Sequence, residues 1–122
     1  MKKSLLVFTI LFLFWCQGMA QVQVTHLVLF KLKTGIDKKD VRFEKAKAAL
    51  RELPKKIPFI ADWSAGENFS IRSIAYDFGL HVVFDSKKDL QNYLVHPAHV
   101  ESANLWKEIA DWNIVDFEDG SE

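Results

Sequence analysis

The stretch from Val22 to Lys33 alternates with a period of two and is nevertheless apolar on both sides. Val22, Val24, His26, Val28, Phe30 and Leu32 fall on one face. Leu27 and Leu29 form the middle of the other, between Gln23, Thr25, Lys31 and Lys33. A strand with two apolar faces belongs at the centre of a sheet that is covered on both sides. The rest of the chain must therefore supply strands to flank it and helices to cover it.

The remaining segments do so in order. Thr34-Gly35 breaks the first strand, and Asp37 can cap a helix with Asp40 three residues later. Val41, Ala46, Ala49, Leu50 and Leu53 form its apolar stripe, and Pro54 and Pro58 end it. Ile60 to Ala65 reads as a short strand stopped by Gly66-Glu67-Asn68, and Phe69 to Ala75 as a loop or turn. Tyr76 to Phe84 alternates clearly, with Tyr76, Phe78, Leu80, Val82 and Phe84 on one side and Gly79, His81 and Val83 on the other. Ser86-Lys87-Lys88-Asp89 is a capping box that opens a short helix through Tyr93 and Leu94. Pro97 suits the first turn of a new helix, whose stripe is Val100, Ala103, Trp106, Ile109 and Ala110. Trp112 to Glu118 forms the last strand.

The order β-α-β-β-α-β is the split βαβ of an α+β, ferredoxin-like domain: an antiparallel sheet with its helices on one face. The open face would then carry Leu27, Leu29 and Val83. Exposed apolar area of that kind marks an interface. Two such sheets packed across a two-fold axis would close a barrel-like homodimer.

The N-terminus predicts export. Lys2 and Lys3 precede a largely apolar run from Leu5 to Trp15, and Gly18 and Ala20 occupy the small-residue positions before Gln21. Residues 1–20 thus read as a signal peptide cleaved after Ala20, leaving one domain over 21–122. The apolar run is shorter than the roughly 20 residues that span a bilayer, so no stable membrane insertion is expected after cleavage. The only cysteine, Cys16, leaves with the signal, and no disulfide can staple the mature domain. The whole chain has 16 basic and 16 acidic residues. Loss of Lys2 and Lys3 leaves the mature domain with a net charge of about −2. With no basic stripe, nucleic acid is not an expected partner.

Tyr93, His96 and His99 lie close together across the Pro97 break. Histidine exchanges protons near neutral pH, and tyrosine can donate to a developing oxyanion. His26 can join them if its face of the first strand meets the helices. The same residues also suit plainer roles, His96 as a helix cap and Tyr93 as a core ring. His-x-x-His alone lacks the third and fourth ligands of a zinc site, so no metal is assigned. There is no Gly-rich phosphate loop, Gly-x-Ser-x-Gly elbow or mature cysteine nucleophile.

Several of these segments resemble the stress-responsive A/B barrel (Dabb) domain family. They are the strand Thr25-His26-Leu27-Val28-Leu29-Phe30-Lys31-Leu32-Lys33, Gly66-Glu67-Asn68, Phe84-Asp85-Ser86, Tyr93 through Val100, and Val115-Asp116-Phe117. The resemblance implies a ferredoxin-like fold and a homodimer closing an α+β barrel, and does not imply one activity; no cofactor is expected. One plant branch of the family consists of polyketide cyclases that use a tyrosine and a histidine of this motif. Carried over by motif position, these imply Tyr93 as orienting or oxyanion group and His99 as base, with His26 lining the pocket. Strand alternation adds Phe78 on the pocket-facing side, where a cyclase-like pocket would gain from a polar group, and the cluster at the Pro97 break adds His96.

Three functions are consistent with this reading. The first is an exported dimeric module that binds a small apolar ligand or serves under stress without catalysis. The second is a cofactor-independent cyclase, isomerase or lyase built on Tyr93 and His99. The third is a haem- or quinol-acting barrel enzyme. A cavity of about 300 Å3 or more, holding both the Tyr93 hydroxyl and the His99 ring, separates the second from a module with a filled interior.

Overall fold

The computed structural model describes residues 22–120, so the expected signal segment lies outside the described residues. The elements are β1 (Val24–Leu32), α1 (Val41–Lys56), β2 (Asp62–Glu67), β3 (Phe78–Phe84), α2 (Lys87–Val95), α3 (Pro97–Ile109) and β4 (Ala110–Glu118). The four strands form one antiparallel sheet in the order β2-β3-β1-β4, with the ferredoxin-like arrangement expected from the sequence.

β1 is central, paired with β3 on one side and β4 on the other. Its Val24, His26, Val28 and Phe30 are buried on the face that meets the helices. They pack with Phe78, Leu80, Val82 and Phe84 of β3, and Phe43, Leu50, Leu53, Tyr93, Trp106 and Ile109 close the core from the helices. The opposite face is not covered throughout: Leu29 is 42% exposed there, and Val115 and Phe117 of β4 join it. Thr25 and Val83, side by side at one end of that face, are buried, and the Thr25 hydroxyl donates to Asp119 (2.6 Å).

The turn after β1 uses Gly35 at φ 87°, in the left-handed region that glycine enters without steric cost. α1 starts later than expected. Asp37 belongs to the preceding turn, and Asp40 is the cap, its carboxylate accepting from the Arg42 N–H. Hydrogen bonds from the Arg42 side chain hold the Asp40 pKa down at about 2. Val41 is consequently 65% exposed, and Phe43 leads the buried stripe through Ala46, Lys47, Leu50 and Leu53. Pro54 does not end α1. It forgoes one hydrogen bond in the last turn, while the Ile57 N–H still reaches the Leu53 carbonyl.

Lys47 is the one charged residue in this buried stripe. Its buried ammonium lies over the Phe43 ring, 4.5 Å from the centroid, and meets Glu44 of α1 and Glu67 of β2. Burial works against the charge, but the two carboxylates outweigh it and hold the Lys47 pKa above its ordinary value. The Lys47–Glu67 contact pins α1 to the edge strand β2.

Candidate functional site

The site grows out of the break between α2 and α3. A residue before proline is pushed out of the helical region, and His96 has φ −64° and ψ 134°. His96 serves both helices: its backbone N–H closes α2 on the Tyr93 carbonyl, and its Nδ1 accepts from the Ala98 N–H (3.1 Å). In one unbroken helix, Tyr93 and His99 would point roughly 120° apart. The break instead brings their rings to a centroid distance of 4.3 Å.

His99 is tied down by the same break. The last carbonyls of a helix lack intrahelical donors, and His99 Nδ1 lies 3.1 Å from the Leu94 carbonyl. A carbonyl only accepts, so Nδ1 carries the proton and Nε2 keeps its lone pair. Burial lowers the His99 pKa below its ordinary 6.5; the bond to Leu94 opposes this, and His26 and His96 lower it further. The ring is therefore neutral at pH 7.

His26 enters from β1 and is buried. Register places Asp116 of β4 beside it, and the carboxylate accepts from His26 Nδ1–H at 2.5 Å. Asp116 is 39% exposed at its side chain, so its charge keeps contact with water. The second imidazole thus also carries a proton on Nδ1, directed at the carboxylate. Its ring meets Tyr93 edge-on at 5.8 Å.

His26, Tyr93 and His99 line one cavity of about 300 Å3, between the covered face of the sheet and α3. Its walls are mainly apolar, with Val28, Leu80, Leu94, Trp112 and Ile114 among them. Two hydroxyls in its lining, those of Tyr93 and Ser102, are buried without a hydrogen-bond partner. Burial pushes the Tyr93 pKa above its ordinary value, so the phenol stays protonated and able to donate. The cavity brings the His99 Nε2 lone pair together with the His26 ring and the side chains of Tyr93 and Ser102 inside an apolar shell.

The other two expected pocket residues lie elsewhere. His96 faces Phe59 and is occupied as the cap of α3. Phe78 points to the helices as its alternation requires, but it is enclosed by Phe30, Phe43 and Trp106 and does not line this cavity. Sequence reasoning passed over Ser102 and Asp116. Ser102 lies three residues after His99 and four before Trp106, a helical spacing that could have revealed it. Asp116 gave no such signal, because its place depends on strand register. Among the described residues, no group of three or more His, Cys, Asp or Glu could hold a metal ion. No helix among them is long and apolar enough to cross a membrane.

Comparison with known proteins agrees with this architecture. The model of the stress responsive A/B barrel domain family matches residues 24–119. An uncharacterized protein of Streptomyces coelicolor is 40% identical over 95 residues, covering 78% of this chain and 98% of that one. A dimeric protein of unknown function and ferredoxin-like fold from Bacteroides fragilis superposes with a TM-score of 0.71. It is 30% identical, over 79% of this chain and 95% of that one. A hydroxynitrile lyase from Passiflora edulis also superposes with a TM-score of 0.71. At 17% identity, over 84% of this chain and 97% of that one, it shares the fold.

Proposed function

Because the chain belongs to the stress responsive A/B barrel domain family, in which the fold alone names no reaction, we propose its function from the cavity: it binds a compact, largely apolar molecule carrying one carbonyl or hydroxyl group. The observation that carries this reading is the unpartnered Tyr93 hydroxyl, buried beside His99 in an apolar cavity of about 300 Å3. Buried hydroxyls find partners in folded proteins, and one left without a partner on a residue that lines a cavity is matched by what enters there. Calorimetric titration with acetophenone and 1-phenylethanol tests the reading. Saturable binding should be lost when Ala103→Trp fills the cavity. Equal heats from the filled variant would overturn it.

A second reading, a cofactor-independent lyase, isomerase or cyclase, is favoured by the His99 tautomer, which leaves Nε2 as an acceptor beside Tyr93. His99 Nε2 can take a proton from carbon next to a bound carbonyl, the C–H electrons moving into an enolate whose oxygen accepts from the Tyr93 hydroxyl. His26, held by Asp116, lines the opposite wall. Proton NMR of phenylacetone in D2O tests this. Exchange at the α-carbon should exceed the buffer rate and fall with His99→Asn, and exchange at the buffer rate would remove the catalytic reading.

We further propose that the chain works as a homodimer through its open sheet face, as the Bacteroides fragilis protein is described to be dimeric. Leu29, Val115 and Phe117 are exposed there, and a hollow of about 620 Å3 opens over Leu29, Gly66 and Gly79. Leu29→Glu should shift the sedimentation coefficient to that of a monomer, and an unchanged profile would count against this face. Export is proposed on residues 1–20. Protein recovered from outside the cytoplasm should begin at Gln21, and an intact Met1 there would sink the cleavage.

A further inference from the structure

The cavity has a second polar end. Lys107 lines it together with Asn104, on the last turns of α3, whereas His99 enters from the first turn. Eight residues of helix separate the Lys107 and His99 levels by about 12 Å. Helical side chains lean toward the N-terminus, which carries the Lys107 stem back along the cavity wall. Between the two levels the lining is mainly apolar, with Val28, Leu80, Ala103, Trp112 and Ile114 beside Ser102 and Asn104.

The charge at this end is also defined. Lys107 is exposed and takes part in none of the ion pairs found among the described residues. Its carbonyl accepts from the Lys33 ammonium at 2.6 Å, so a second cation stands beside it. Lys33, Lys107 and Asp111 share a small hollow that adjoins the cavity at Trp112, leaving two positive charges against one negative. An apolar slot with a hydrogen-bonding inner end and a cationic outer end selects a molecule with the complementary polarity.

We propose that the ligand of this cavity is a small amphipathic carboxylate. Its carboxylate pairs with Lys107 at the rim, its apolar body lies against Trp112 and Ile114, and a hydroxyl or carbonyl at the far end meets Tyr93 and Ser102. This inference rests on the cavity being a ligand site and adds the chemical class.

The probe is 3-(4-hydroxyphenyl)propanoate, titrated calorimetrically beside its uncharged amide at 20 mM and 500 mM NaCl. An exposed ammonium gives a modest advantage, so the acid should bind about threefold to fivefold tighter than the amide at low salt. At high salt the two should converge. Lys107→Gln should erase the difference while leaving amide affinity unchanged, and Lys107→Arg should keep it. If the amide binds as tightly as the acid, or Lys107→Gln weakens both equally, the carboxylate class is overturned and the ligand cavity stands. If neither compound binds saturably, both readings fall.

Discussion

Replacing Tyr93 with phenylalanine deletes one hydroxyl and keeps the ring, so it asks what the hydroxyl is for. The hydroxyl is buried and has no hydrogen-bond partner. The ring keeps its neighbours, with centroids at 5.0 Å from Phe84, 4.3 Å from His99 and 5.8 Å from His26. A buried hydroxyl without a partner costs roughly 1–3 kcal/mol relative to a satisfied one. The net expectation is a stabilisation of about 1 kcal/mol, read as a rise of about 4–8 °C in Tm for a domain of this length. Thermal unfolding of Tyr93→Phe and the wild type at pH 7, without ligand, measures it. A pH series supplies an independent arm. Burial raises the Tyr93 pKa, so above about pH 10 the unfolded chain loses this proton while the native state retains it. Stability therefore falls as pH rises there, and the variant should lack that component. A Tm several degrees below the wild type would refute the reasoning, because the hydroxyl would then be holding the fold together. Tyr93→Ala cannot make this distinction, since removing the ring costs about 3–5 kcal/mol in either case.

Other parts of the molecule carry their own tests. His99 is held neutral by burial, so stability should be fully present above about pH 6.5 and decline as pH falls toward the lower native pKa. Thermal melts from pH 7.5 to 5 should show this decline reduced in His99→Gln, and parallel curves would contradict it. Asp116→Asn removes the carboxylate that fixes the proton of His26 on Nδ1. The 15N shift of Nδ1 in that ring should move when this acceptor is lost, and an unchanged spectrum would mean that Asp116 does not hold it. Lys47→Ala removes a buried side chain whose ammonium lies over the Phe43 ring and leaves Glu67 without its partner. Urea unfolding should report a loss of about 2 kcal/mol, and a change below about 0.5 kcal/mol would place Lys47 among ordinary surface lysines.

Alternation and punctuation determined most of the architecture. The period of two in β1 and β3 selected the residues that face the helices, and the apolar second face of β1 put it at the sheet centre. Ser86 and Pro97 marked the starts of α2 and α3 through local chemistry that needs no distant partner. Where the reading slipped, several side chains could do the same local job. Asp37 and Asp40 are both competent caps, and the choice of Asp40 decided whether Val41 or Phe43 entered the core.

The candidate site divides in the same way. Tyr93, His96 and His99 were visible as a cluster at a proline break, but only the angle of that break brings Tyr93 and His99 together and commits His96 to capping. Phe78 had the right face and the wrong place along it, because a face is a matter of alternation and a place is a matter of packing. Asp116 was out of reach of local reasoning. The sequence by itself determined which side of each strand is apolar, since side chains alternate along any strand. Only the tertiary structure decided which residue of β4 stands beside His26, since the register between strands is set by the whole sheet and its core.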